Sequence, residues 1–192
     1  MRFLLLCLLA CPLAATAQTK DIDAAALERM KQKAQTTPAE SLTKSIRRTP
    51  AQEEVTFDFT KSARVITLTD GTKVESPLVE IPLLFDQGQP TLRADAQSQA
   101  NLQRLAGLIL ELEKDAARIT VSGFASAEGD GAKNQKLSED RAATVRAALI
   151  GLGIKETTLT AAGHGTKFAA AAATAPEPQR ALDRKVVAVR EL

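Results

Sequence analysis

The chain has 192 residues, with 25 Lys and Arg against 23 Asp and Glu for a net charge of +2. That length suits one globular domain plus a smaller appendage better than two full domains, and the near balance of charge argues against a polyanion such as nucleic acid as partner. With six Phe and no Trp or Tyr, platforms for stacking bases or sugar rings are scarce.

The chain opens MRFLLLCLLACPLAATAQ. One Arg, an apolar run from Phe3 to Ala15 and the small residues Ala15-Thr16-Ala17 before Gln18 predict a secretory signal peptide over residues 1–17, with the mature chain starting near Gln18. Cys7 and Cys11 both fall inside this segment, so the exported product would carry neither a disulfide nor a Cys-based metal site. A second reading takes Leu8-Leu9-Ala10-Cys11 as a lipobox and Cys11 as a lipid-bearing first residue, but only about seven apolar residues would precede it, at the short edge of an h-region. An uncleaved anchor is disfavoured because the apolar run falls short of the ~20 residues that span a bilayer.

Residues 18–50 read as a helical or flexible linker, partly ordered. Ile22, Ala26, Leu27 and Met30 give one narrow apolar stripe at helical spacing, and Pro38 and Pro50 each push the preceding residue toward extended geometry. From 51 to 76 the pattern becomes β-like. Val55 to Phe59 and Arg64 to Val74 alternate, and Asp70-Gly71 signals a two-residue hairpin, making a small β element that leads into the main domain or packs against it.

The main domain is expected over 77–192. Val79 to Phe85 reads as a buried strand, with Pro82 at an edge or bulge, followed by an exit loop from Asp86 to Pro90. Leu102, Leu105, Leu108, Ile109 and Leu112 recur at three- and four-residue steps, which predicts an amphipathic helix from about Ala94 to Lys114. Ile119 to Gly123 supplies a strand. A glycine-rich loop then leads to a second helix from about Lys133 to Leu152, with Leu137, Val145, Ala148, Leu149 and Leu152 on one side and Gly153 as its stop. Thr157 to Ala162 and Lys185 to Arg190 are the last strands, and Ala169 to Ala175 reads as an inserted loop, mobile or a partner contact. The expected fold is an α+β two-layer sandwich in β-α-β-α-β-β order, with two long helices on one face of a mixed sheet. Eight barrel strands of ~9–11 residues would not fit between Gln18 and Pro77, so no membrane barrel is expected ahead of the domain.

Several residues form an ordered set from Val79 to Val189: Phe85-Asp86, Gly123, Asn134, Leu137-Ser138, Arg141-Ala142, Gly163 and Gly165, then Arg180 with Asp183-Arg184-Lys185. In type and order this set resembles the OmpA-like C-terminal domain family. The resemblance implies a periplasmic domain that binds peptidoglycan non-covalently, holding the diaminopimelate side chain of the stem peptide between an Arg and an Asp. An Arg fork suits the ligand carboxylate and an Asp its ammonium. Arg141 matches the Arg. Fifteen positions earlier, where the family has Asp within His-Thr-Asp, this chain has Ser126 within Phe124-Ala125-Ser126.

Serine accepts a hydrogen bond but brings no charge, which would weaken binding by roughly ten-fold or more. Glu128, two residues on, is the expected substitute, ahead of Asp130. Asn134 fits a helix cap as well as a ligand contact. Arg184 fits a place lining the site as well as an ion pair. Asp86 reads as closing the turn after the first strand, and Leu137 and Ala142 as packing positions. His164, the single histidine, has no visible nucleophile or metal-ligand companions, so no catalytic residue, metal or cofactor is expected.

The sequence therefore predicts a wall-binding, non-enzymatic envelope protein of the periplasm, with outer-membrane association left open. Its site residues would be Arg141, Ser126, Glu128, Asn134 and Arg184, its partner peptidoglycan, with no nucleic acid and no transmembrane segment in the mature chain. A rival from another class is a structural adaptor that kept the fold, lost wall binding and contacts an envelope protein through its N-terminal segment or Ala-rich loop. A wall hydrolase is the third reading, and lacks a catalytic constellation.

Overall fold

The computed structural model describes residues 20–33, 35–37, 54–86 and 88–191. The signal segment, Cys11, Pro38 and Pro50 lie outside them. In chain order the elements are α1 (Ala24–Met30), β1 (Gln35–Thr37), β2 (Glu54–Asp58), β3 (Ala63–Thr67), β4 (Lys73–Glu80), α2 (Ala96–Leu112), β5 (Ile119–Gly123), α3 (Gly131–Gly151), β6 (Leu159–Gly163), α4 (Glu177–Ala181) and β7 (Val186–Arg190). They make one mixed sheet in the order β2-β3-β4-β7-β5-β6, with β1 also on β4. Among the described strands only β5 and β6 pair in parallel, and α3 supplies the crossover that parallel neighbours need.

From β4 onward the expected order holds, with the short α4 added before the last strand. Strand β7 shows why the sheet is central. Val186 and Ala188 join the core beneath α2 and α3, while Val187 and Val189 point to the opposite face with Leu78 and Phe124. A strand covered on both faces reads as a continuous apolar run rather than an alternating one. The helix core gathers Leu105, Ile109 and Leu112 of α2, Ala142, Val145 and Leu149 of α3, and Val79, Ile119 and Val121 of the sheet. Leu152, expected on the buried side, is exposed.

Three expectations change. The strand expected over Val79–Phe85 is Lys73–Glu80 instead, so the boundary expected at residue 77 falls inside it. Pro77 sits within this strand because it occupies a gap on one edge: pairing with β1 ends at Glu75 and pairing with β7 starts at Leu78. A missing N–H is tolerated where no ladder bond is due. Pro82 lies beyond the strand, its carbonyl accepting from Asn101 Nδ2 at 2.9 Å. The Asp70-Gly71 hairpin does form, joining β3 to β4. Leu68 and Thr72 bracket three loop residues, with Gly71 at φ +80°, a value that suits glycine.

Residues 20–32 are docked. Ile22, Ala26 and Met30 are buried in the helix core, so the weak stripe is a real packing face. Asn101, fully buried on α2, accepts from the Ile22 amide at 3.0 Å and donates to the Lys20 carbonyl at 2.8 Å. From β7, Arg190 Nη1 donates to the carbonyls of Met30 (3.0 Å), Lys31 (2.6 Å) and Gln32 (3.3 Å). A guanidinium there satisfies carbonyls that a helix end leaves without partners and complements the helix dipole.

Candidate functional site

The site is built where α3 crosses the ends of β5 and β6. Asp130 caps the helix, its carboxylate accepting from the Lys133 amide at 2.8 Å. Asn134 lies one turn in and does different work: its Nδ2 donates to the Glu128 carbonyl at 2.7 Å and, more weakly, to that of Ser126 at 3.4 Å. It fastens the loop between β5 and α3 to the helix. Ser138 Oγ accepts from the Gly165 amide at 2.9 Å and donates to the Gln135 carbonyl at 2.8 Å. Gln135 Nε2 donates to the Gly163 carbonyl at 2.9 Å. The Leu-Ser and Gly-x-Gly elements of the motif are thus fasteners that set where α3, and with it Arg141, stands.

Arg141 is 8% exposed. Its Nε donates to the Gln89 carbonyl at 3.1 Å and its Cζ stands 5.0 Å over the Phe85 ring, an arrangement that orients the planar fork. Among the described residues no carboxylate lies within ion-pair distance of it, and its terminal nitrogens bond no protein acceptor. Burial first, and then the neighbouring Arg184 charge, lower the Arg141 pKa from its ordinary value, although a guanidinium stays cationic regardless. Arg141 and Arg184 line a cavity of about 70 Å³ together with Phe85, Pro82, Glu80 and Lys185. Glu80 faces Lys185 across 3.7 Å.

Ser126, Glu128 and Asn134 do not line this cavity. Ser126 is buried at 5% exposure. Glu128, expected to stand free for an ammonium, meets Arg180 at 2.8 Å. Arg180 also bonds Glu177 at 2.9 Å, and Glu177 in turn pairs with Arg184. Hydrogen bonds from Arg180 and then Arg184 hold the Glu177 carboxyl below the usual carboxylate range. The result is a chain of alternating charges, Glu128–Arg180–Glu177–Arg184, that ends beside the unpaired Arg141. The sequence reading placed Arg180 in the ordered motif but not in the site, and missed Glu177; their three-residue spacing was the available signal.

The neighbouring residues have structural work. Asp86 accepts from the Gln89 amide through its carbonyl and from Arg93 Nε at 3.1 Å through its carboxylate, closing the turn after Phe85 as expected. The Ala-rich loop is pinned: buried Asp183 accepts the amides of Ala170 and Ala171, each at 3.0 Å. Phe124 turns to the far face of the sheet, where Phe57, Phe59, Phe168 and His164 surround it. The His164 ring stacks on Phe124 at 4.9 Å and its Nε2 lies 3.3 Å from Ser122 Oγ. Four of the six phenylalanines of the chain thus pack on one another. Among the described residues no group of three or more His, Cys, Asp or Glu could hold a metal, and no helix is long and apolar enough to cross a membrane.

A family model described as the OmpA family matches residues 84–183. Among solved structures, the peptidoglycan-associated lipoprotein of Burkholderia pseudomallei is 26% identical, with 57% of this chain and 88% of that one covered at a TM-score of 0.50. The periplasmic domain of Helicobacter pylori MotB is 18% identical, covering 71% and 87% at 0.51. A MotB-like protein of Desulfovibrio vulgaris is 23% identical, covering 72% and 78% at 0.50. The last two likenesses bear on fold alone. No curated protein matches.

Proposed function

The chain belongs to the OmpA family, and from that premise we propose that it binds peptidoglycan non-covalently in the periplasm, joining the wall to its N-terminal segment without catalysing a reaction. The observation that carries this reading is Arg141: a guanidinium 8% exposed, without a counter-ion among the described residues, lining a cavity beside Arg184. A guanidinium largely removed from water keeps only its open edge for a partner, and an anionic ligand there would supply the missing counter-charge. The carboxylate of a diaminopimelate-type stem peptide fits, gripped by paired charged hydrogen bonds from the Arg141 fork with Arg184 adding charge. Ser126 and the loop held by Asn134 would form the adjoining wall. The likeness to a peptidoglycan-associated lipoprotein supports the same ligand class.

Retention of the purified mature chain on isolated sacculi tests this. Wild type is expected to be retained, Arg141→Lys weakly and Arg141→Ala not at all, with circular dichroism confirming folded variants. No retention of wild type, or retention indifferent to Arg141→Ala, refutes it.

A second reading, an adaptor of the envelope that contacts a protein partner and has lost the wall, is favoured by one observation. Ser126 is uncharged, Glu128 is held by Arg180 and Asp130 caps α3, so each acidic group on the loop where the resemblance places a binding carboxylate is already engaged. Ser126→Asp separates the readings: wall binding that appears only in this variant marks wild type as the adaptor.

A further inference from the structure

We propose that the Arg141 cavity recognises its ligand through a carboxylate alone, so that an ammonium group beside that carboxylate adds nothing to binding. The inference rests on the peptidoglycan reading above and narrows it to a ligand class.

The distribution of charge around the cavity carries the argument. Glu128, Glu177 and Glu80 each already face a cation, and Asp130 on the β5–α3 loop caps α3 instead. Glu128 meets Arg180 at 2.8 Å, Glu177 lies between Arg180 and Arg184, and Glu80 at the rim faces Lys185 across 3.7 Å. Arg141 and Arg184 line the cavity against the single acidic residue Glu80, and Lys185, which also borders it, turns its ammonium over the Phe59 ring at 4.0 Å. The balance favours an anion and opposes a second positive charge. Arg141 has both terminal nitrogens free of protein acceptors among the described residues, while Gln89 holds its Nε edge and Phe85 covers one face of the guanidinium. The open edge is the one that takes a carboxylate bidentately. On the β5–α3 loop, Ser126 supplies no charge.

An ammonium entering beside a bound carboxylate would meet the guanidinium groups of Arg141 and Arg184, and Glu80, the one acidic residue at the cavity, already faces Lys185. Drawing Glu128 toward it would require breaking the Glu128–Arg180 contact and leaving Arg180 to Glu177 alone. The site is accordingly selective for a carboxylate-ended side chain and blind to its amino group. Ser126, the loop position where the resemblance places an acidic residue, brings no charge, and Arg180 holds Glu128.

The test titrates the mature chain with three seven-atom or shorter probes, followed by the Arg141 Nε–H resonance. These are meso-diaminopimelate, pimelate (the same chain and carboxylates without amines) and 1,5-diaminopentane (amines without carboxylates). Pimelate is expected to bind at least as tightly as diaminopimelate and the diamine not at all, while Ser126→Asp is expected to favour diaminopimelate over pimelate by ~10-fold or more. Wild type that prefers diaminopimelate by ~10-fold or more leaves the Arg141 site standing and overturns the indifference to the amine. No response to either acid overturns the site itself, and the inference with it.

Discussion

The carbonyl oxygen of Ser138 occupies the place that a β-carbon on Gly123 would need. Strand β5 and helix α3 therefore meet backbone to backbone, and Gly163 makes the same approach to Glu139 from β6. Because helix backbone cannot move aside as a side-chain tip can, Gly123→Ala is expected to lower stability by about 1–3 kcal/mol. It should also weaken sacculus binding by tilting Arg141. Gly131→Ala is the control, since a β-carbon there meets nothing, and it should stay within ~0.5 kcal/mol of wild type. Urea melts of both variants check the pair.

Arg190→Met removes the donor that closes the end of α1 while keeping most of the buried stem. Hydrogen bonds from a charged donor are among the stronger ones, and the substitution is expected to cost about 2–4 kcal/mol. The loss should be local first: hydrogen exchange of residues 24–33 should accelerate while α3 keeps its protection. Equal acceleration in both would show that α1 is not separately held by this contact.

His164 makes stability depend on pH. Burial first, then Lys167 and Arg64, hold its pKa below the ordinary value, and Arg64 is itself paired to Glu191. The unfolded chain takes up the proton near pH ~6.5, so it binds more protons than the fold in the window below that. The stability contributed by neutral His164 is complete above pH ~6.5, falls as the pH drops through it, and levels off below the folded pKa. Urea midpoints measured from about pH 7.5 to about pH 5.5 should decline in wild type. In His164→Gln the decline should shrink, because the chain has no other histidine.

Asp183→Ala leaves the Ala170 and Ala171 amides without their shared acceptor. Leaving these part-buried donors without their acceptor is expected to cost about 1–2 kcal/mol and to open the loop, so trypsin should cut after Lys167 faster than in wild type. An unchanged cutting rate would show that the carboxylate is not what holds the loop.

Much of the fold was legible because its parts repeat. Leu102, Leu105, Ile109 and Leu112 announce α2, and Ile119 to Gly123 is a strand in both readings. Arg141 was legible from its place in an ordered motif. The ion-pair chain was not, since Glu128 and Arg184 are remote in sequence and are linked only once α4 sets Glu177 between two arginines. Nor was the far-face cluster, because Phe57, Phe59, Phe124 and Phe168 share no period and meet only when the sheet has formed. Pro77 misled for a related reason: whether a proline ends a strand depends on what its N–H edge would have faced, and that is set by β1 and β7. The stripe of Ile22, Ala26 and Met30 was visible, but a stripe does not state what covers it.

The contacts of Asn101 and Arg190 with residues 20–32 give the domain a load path. Tension entering the chain at residue 20 meets Asn101 on α2 first, and tension carried along α1 meets Arg190 at the end of the central strand β7. Both anchors sit on elements braced by the main core. The force is shared by the sheet before it passes to α3, which carries Arg141. A tether drawing on residue 20 while a ligand is held by Arg141 would thus load the sheet through contacts at Asn101 and Arg190 that are separate from those gripping the ligand.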